Sequence, residues 1–295
     1  MAEVRSATPD DADGIAAIWR EVVPFLVKTS RGIAAELASG SSRHVLVAVD
    51  SDEVVGVASA WPPDSPGAAS RLSVMVRPDA RRHGIGSTLT EQVSTYAAGA
   101  GASLLRATVG ADGKDFAVGH GFAIGRELSH SRALLADVPE PAPVPDGFRL
   151  ADFTELDPHD VWEAYQAVAD DDPSGLSTVP AYEEWLAIEW KHPDHALDLG
   201  IAAVDTAKEQ IASFVSTSAD RERGAVWSNL TGTRPAYRGK GLAKVVKSHA
   251  LARCRAAGMT EALTGNDARN QPMLAVNAWL GYRIAGSQWT AEKEV

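Results

Sequence analysis

Arginines and lysines gather around glycines twice in this chain. Residues 233–249 read TRPAYRGKGLAKVVKSH, and residues 76–93 read VRPDARRHGIGSTLTEQV. In the first run Arg234, Arg238, Lys240, Lys244 and Lys247 surround Gly239 and Gly241. In the second, Arg81, Arg82 and His83 lead into Gly84 and Gly86. Each run opens a stretch of helical hydrophobic period. The first N–H groups of a helix have no intrahelical partner and carry partial positive charge. Glycine lets an anion approach the backbone, and Arg and Lys add charge-assisted bonds to phosphate. The chemistry implied is anion binding, and the anion that fits is a pyrophosphate.

Two familiar pyrophosphate loops do not fit. A Walker loop needs G-x-x-x-x-G-K-[ST], which neither run contains. A dinucleotide fingerprint needs G-x-G-x-x-G after the first strand of a βαβ unit. GKGLAK lacks the third glycine and comes after about three other strands. Glu261 stands 20 residues beyond Gly241, where a ribose-binding acid would lie, and we read that spacing as coincidence.

Both loops must be positioned by elements of the same order. In the N-terminal half, strands are expected at VRSAT, HVLVAVD, VVGVASAW and SRLSVMV, with helical residues over 11–38 broken near Pro24. Ile85, Leu89, Val93, Tyr96 and Ala100 then fall at helical spacing. A strand at SLLRATVG, a short helix from Asp115 to Gly119 and a strand at GFAIGRELSHSRALL complete the half. The C-terminal half repeats the plan: a strand at GFRLADF, helices over 158–169 and 180–191, a hairpin of LGIAAVD with IASFVSTSA, and a strand at AVWSNLTGT. A helix carrying Leu242, Val245, Val246 and His249 follows, then TEALTGN (strand), QPMLAVNAWL (helix) and GYRIAGS (strand). His249 reads as a half-buried, satisfied histidine. One β-α-β-β-β-α-β-α-β order with the glycine loop in the same place twice implies duplication. The alternating prolines of DVPEPAPVPDG mark a semi-rigid connection. The expected domains are therefore 1–138 and 147–295, with a linker at 139–146.

The chain has 295 residues, one cysteine and a net charge of −11. That charge argues against nucleic acid as a partner. Cys254 reads as a small buried residue rather than a nucleophile. No stretch reaches the ~20 apolar residues of a membrane helix, and the polar N-terminus is unlike a signal peptide, so a cytoplasmic protein is expected, as monomer or homodimer. Nothing suggests a metal site. The charge is uneven. Residues 146–210 hold 16 Asp and Glu against 3 Lys and Arg, a net of −13, while the rest stands at +2. A solvated face is the plainer reading of such a run; an acidic approach for a cationic ligand is the functional one.

Arg81-Arg82-His83-Gly84-Ile85-Gly86 and Arg238-Gly239-Lys240-Gly241-Leu242-Ala243 resemble Gln/Arg-x-x-Gly-x-Gly/Ala, the signature of the GCN5-related N-acetyltransferase superfamily. VRP and TRP resemble its Val-x-Pro lead-in. His120-Gly121-Phe122 and Leu280-Gly281-Tyr282 resemble the Gly-Phe that closes its last helix. The resemblance covers nearly the whole chain and points to a tandem two-domain member, a plan shared by the mycothiol synthases. It implies an α/β fold of two tandem domains, each a twisted, mostly antiparallel mixed sheet flanked by helices with a splayed central strand pair. It also implies acetyl-CoA as acyl donor, with its pyrophosphate on the loop and its pantetheine pairing with the splayed strand. The implied contacts are Met75, Val76, Arg81, Arg82, Gly84, Ile85 and Gly86 in one half. In the other they are Thr231, Gly232, Thr233, Arg238, Gly239, Lys240, Gly241, Leu242, Ala243 and Asn270, although Asn270 serves equally as a helix N-cap.

The family often places a tyrosine four residues before the Gly of the Gly-Phe pair, facing the departing thiolate. Those positions are Ala117 and Asn277 here. Asn277 can donate a bond to sulfur and Ala117 cannot, which favours the C-terminal half for catalysis. AVWSNLTGT carries no acid to act as general base. A water chain or an aspartate of ADDDPSG, with Asp172 the choice, takes that role, and a polar turn is the plainer reading of the same residues. The substrate implied is the primary amine of a small cationic molecule. An acyl-CoA-binding sensor without catalysis is the alternative, and a nicotinamide-binding protein a distant third.

Overall fold

The computed structural model describes residues 2–39, 43–169 and 179–295, and the chain packs as two units. One unit is Met1–Leu128 with Ser287–Val295, and the other is Ser129–Gly286.

In the first unit, residues of alternating direction build β-strands: first an exposed edge strand, then two central ones buried on both faces. β1 (Glu3–Ser6), β2 (His44–Asp50), β3 (Glu53–Ala60) and β4 (Ala69–Val76) form an antiparallel run. Val45 and Val47 of β2 point to the layer of α1 (Ala12–Val22) and α2 (Ser30–Ala38). Leu46 and Ala48 point the other way, towards α3 (Ile85–Gly99). α1 ends at Val22, and the residue before Pro24 has left the helix, as the proline ring demands. α2 begins where Thr29 accepts a hydrogen bond from Gly32 N–H. β5 (Leu104–Gly110) joins β4 in parallel, and α4 (Lys114–Gly119) and β6 (Ala123–Leu134) follow.

The second unit repeats the order. β7 (Phe148–Asp152), β8 (Ile201–Asp205), β9 (Gln210–Asp220) and β10 (Ala225–Thr233) are antiparallel, and β11 (Glu261–Asp267) joins β10 in parallel. α5 (Pro158–Ala169) and α6 (Tyr182–Trp185) cover one face over an aromatic core of Phe153, Tyr165, Trp185 and Phe214. α7 (Leu242–Ala256) covers the other, and α8 (Gln271–Trp279) follows β11.

Three features depart from the sequence reading. The helix expected over 180–191 is α-helical only to Trp185. It widens over Leu186–Trp190, where Lys191 N–H donates to Leu186 O at 3.0 Å. The last strand, β12 (Arg283–Glu294), does not stop after GYRIAGS; its Gln288–Glu294 pair antiparallel with Gly110–Leu104 of the first unit. The packing therefore divides the chain elsewhere than at the prolines, since Ser129–Leu134 belong with the second unit and the C-terminal residues with the first. The proline run lies on the second unit as a strap. Ala142 N–H donates to Ser248 Oγ at 3.0 Å, and Ala142 O accepts from His249 Nε2 at 2.9 Å.

Candidate active site

A parallel strand pair opens part-way along its length in each unit. β10 pairs with β11 only at Ala225↔Glu261, Val226↔Ala262 and Trp227↔Leu263. From Ser228 it stays with β9 as far as Thr233↔Ser213, with a register shift between Ser228 and Leu230 where the strands part. β4 leaves β5 after Arg71↔Arg106 and stays with β3 as far as Val76↔Gly56. Each split bares backbone N–H and C=O along one edge, which an extended ligand can pair with as a strand does.

Both splits run into their glycine loops. Gly239 and Gly241 have φ of 77° and 73°, the left-handed region that glycine adopts without strain. A Cβ at either would meet nothing within 4 Å, so the space beside the backbone is open. α7 starts at once after Gly241 with no side-chain cap, so its first N–H groups are left for a ligand. Gly84 matches Gly241 with φ 84°, also in open space, and Arg82 takes the left-handed place of Gly239 at φ 68°. Arg238 Nε donates to Thr233 O at 3.3 Å, and Arg81 Nε to Val76 O at 3.1 Å. The same bond ties loop to strand end in both copies.

The two loops then differ. Arg81 is also paired with Asp112 at 2.6 Å, and a Cβ on Gly86 would lie 3.2 Å from the Phe116 ring. In the second unit Lys240 Nζ stands 5.5 Å from the Tyr237 ring centroid, and Lys244 Nζ 3.6 Å over Trp279. The loop 238–243 fits a pyrophosphate: left-handed glycines beside open space, an uncapped helix start, and a guanidinium and two ammonium groups close by.

The remaining expected residues fall as follows. Met75 is buried against the α1 layer and Val76 packs on the α3 layer, so each offers a ligand only its backbone. Ile85 packs on that same layer, Leu242 is buried beside β8 and β9, and Ala243 is half-buried. Ser213 Oγ donates to Gly232 O at 2.8 Å and bonds Thr233 Oγ1 at 2.8 Å, and Thr231 is half-buried beside them. Asn270 caps α8, its side chain accepting from Met273 N–H at 3.3 Å. Asn277 is 3% exposed; its Nδ2 donates to Asn266 Oδ1 at 2.6 Å, and its own carbonyl oxygen is buried without a partner. Asp172, with Asp170 and Asp171, lies outside the described residues.

One expectation is overturned. Lys247 does not join the positive patch at the loop, because it is 1% exposed. Leu251 and Cys254 stand four and seven residues further on and are buried in the core, which puts Lys247 on the inward stripe of α7. That spacing was present in the sequence. Cys254 is inert, burial pushing its thiol up to about 12.

The acetyltransferase (GNAT) family model matches residues 15–119 and 160–282, one match in each repeat. The chain belongs to the acetyltransferase (GNAT) family. It is an acyltransferase with two GNAT domains in tandem. A mycothiol acetyltransferase of Nocardioides sp. is 30% identical over 233 residues, 72% of this chain and 77% of that one. Another, of Thermobifida fusca, is 27% identical over 93% of this chain and 88% of its own. Among solved structures, a tandem GNAT protein from the clavulanic acid biosynthesis pathway has a TM-score of 0.76 at 19% identity, covering 100% of this chain and 98% of its own. A GCN5-related N-acetyltransferase from Sphaerobacter thermophilus gives 0.72 at 19%, covering 99% and 95%. At such identities the structures speak for the fold.

Proposed function

We infer that the second unit transfers an acetyl group from acetyl-CoA to the primary amine of a small cationic molecule. The observation that carries this is the split beyond Trp227↔Leu263, whose β10 arm ends at Thr233, one short helical turn (Pro235–Tyr237) before the open, left-handed loop Gly239–Gly241. Its edge suits the amides of a pantetheine arm, and its loop suits a pyrophosphate. Membership of the GNAT family supports acetyl-CoA as donor. The cationic acceptor is supported by the net −13 of residues 146–210. Part of that charge is spent internally, because Asp152 pairs with Arg253, Asp198 with Arg221 and Glu209 with Arg149. Asp160 of α5 and Glu183 and Glu184 of α6 lie on the helices that cover one face of the unit and are candidates to attract an acceptor. The names of the relatives make the acceptor of mycothiol acetylation the first compound to try, with polyamines and aminoglycosides beside it.

Calorimetry with acetyl-CoA, NAD and ATP, followed by thiol release against that panel, tests the reading. Acetyl-CoA alone is expected to bind, and at least one cationic amine to release thiol. Binding of NAD in place of acetyl-CoA would overturn it. The first unit supports a second, narrower reading as a non-catalytic acyl-CoA site. Ala117 stands where Asn277 does, Arg81 is held by Asp112, and Phe116 crowds Gly86.

A further inference from the structure

α7 carries one lysine that faces inward. Lys247 is 1% exposed, and its amine makes no hydrogen bond or ion pair among the described residues. The ring of Tyr282 lies beside it, its centroid 5.2 Å from Nζ. An unpaired ammonium in such a place costs several kcal/mol. Burial alone lowers its pKa, to about 7.

Two more buried polar atoms without partners lie close by, the Tyr282 hydroxyl and the Asn277 carbonyl oxygen. Tyr282 N–H donates to Asn277 O at 3.0 Å, which locks the two residues together at the end of α8. The Tyr282 hydroxyl faces Ser228 without closing a bond of normal geometry. Ser228 is the first residue of β10 beyond its last pairing with β11. Asn266, which holds Asn277, lies on the arm of β11 beyond the same pairing. Along β10, Ser228 shares a face with Val226, which packs in the same core as Leu251 and Tyr282. Two orphaned polar atoms and the buried Lys247 amine therefore belong to residues around the head of the split, on its α7 side. Most buried polar atoms of a native interior have a partner, so unpaired ones gathered beside a split strand pair call for a reason.

We propose that Lys247 gives the departing thiolate of coenzyme A its proton, with the Tyr282 hydroxyl beside it at the head of the split. The inference rests on the function proposed above. Lys247 delivers one proton from its ammonium to sulfur as the C–S bond breaks and the C–N bond to the acceptor forms. The acceptor nitrogen sheds one proton to water, and water returns one to Lys247, so the protein ends as it began. Asn277 does not meet this need, since one N–H of its Nδ2 is engaged with Asn266 and an amide N–H donates a hydrogen bond without giving up its proton. Its free carbonyl oxygen suits a pantetheine N–H instead.

The groups that face Lys247 leave this titration undisturbed. α8 and β10 carry no ionisable side chain. On β11, Glu261 is paired with Arg132 and Arg223, and Asp267 with Arg269. Burial raises the Tyr282 phenol, and raises the Cys254 thiol to about 12. On α7, His249 faces Ala142 and Lys244 faces Trp279.

The test compares wild type with Lys247→Met, which keeps the methylene stem, and Lys247→Gln, which keeps a donor without the charge. The first readout is the ultraviolet absorbance of the thiolate of bound CoA against pH, with desulfo-CoA as blank. Wild type is expected to ionise the bound thiol at least tenfold more readily than either variant. The second is kcat against pH. Wild type should lose rate as pH rises above about 7, and both variants should lack that limb and fall about 10²–10⁴-fold in kcat, with Kd for acetyl-CoA within threefold. The third is Tm, expected unchanged or higher in Lys247→Met because an unpaired buried amine has gone. Variants that keep both the thiol ionisation and the descending limb overturn this inference alone. Wild-type protein that binds no CoA overturns the proposed function and this inference with it.

Discussion

Gly241 holds a left-handed backbone beside open space, so a side chain there has room but the wrong conformation. Gly241→Asp adds about 1–2 kcal/mol of backbone strain and a negative charge where a phosphate is to lie. We expect its Kd for acetyl-CoA to rise at least tenfold by calorimetry and thiol release to fall with it. Gly84→Asp should leave most turnover intact, and the reverse pattern would move catalysis to the first unit. Asp152 offers a different single-residue test. Burial opposes its charge, and the Thr154 hydroxyl and N–H with the Arg253 guanidinium outweigh that, so its carboxyl titrates below the usual range. Stability from a depressed carboxyl is present above its unfolded value of about 3.9 and is lost as pH falls through the folded one. Asp152→Asn should cost about 1–3 kcal/mol at pH 7 and flatten the acid limb of a stability–pH profile. An unchanged limb would mean that Arg253 contributes nothing there.

Strand β10 and helix α5 meet where a side chain is missing. A Cβ on Gly232 would lie 2.7 Å from Val168 Cγ2, so the helix rests on the strand because residue 232 is glycine. Gly232→Val should cost about 1–3 kcal/mol by overpacking, read as a lower urea midpoint with unchanged slope. Val168→Ala in the same chain should recover part of it, and a full additive loss would refute the contact. The helix–strand order was legible because each element has its period and its punctuation. Val45 to Val49 are a short continuous apolar run, Leu89 and Val93 are four apart, and Asn270 caps. The widened turn at Leu186–Trp190 was not legible, since its aromatic residues suit an ordinary helix equally well and only packing around Phe153 and Trp185 selects between them.

The two units are not two halves of the sequence. Gln288–Glu294 pair with β5 of the first unit, and a Cβ on Gly125 would sit 2.4 Å from Thr290 Oγ1, so that strand lies close against β6 as well. Ending the chain at Gly286 should leave β5 with an open edge, and open edges recruit other strands. We expect the shortened protein to lose several degrees of Tm and to aggregate, seen by light scattering. A fragment of residues 1–138 should remain unfolded or aggregated by itself and gain structure when residues 287–295 are supplied as a peptide. A well-folded, monomeric fragment without the peptide would refute this.

Local chemistry determined much of this protein. The spacing of Arg238, Gly239 and Gly241, and of Arg81 and Gly84, was enough to mark two left-handed glycine turns at helix starts, because helix starts and glycine conformations depend on near neighbours. The duplicated plan was legible for the same reason. Tertiary structure decided what depends on residues far apart. Lys247 stands four and seven residues before Leu251 and Cys254, a spacing that already marks the inward stripe of α7, but only the fold set its amine beside Tyr282. Asn277 looked like a free donor until Asn266 of β11 took one of its two amide N–H groups. The prolines looked like a boundary until Ser248 and His249 bound Ala142. The last strand kept its alternation in either unit, and only the open edge of β5 told it where to pair, because a strand's partner is set by hydrogen bonds its own sequence does not contain.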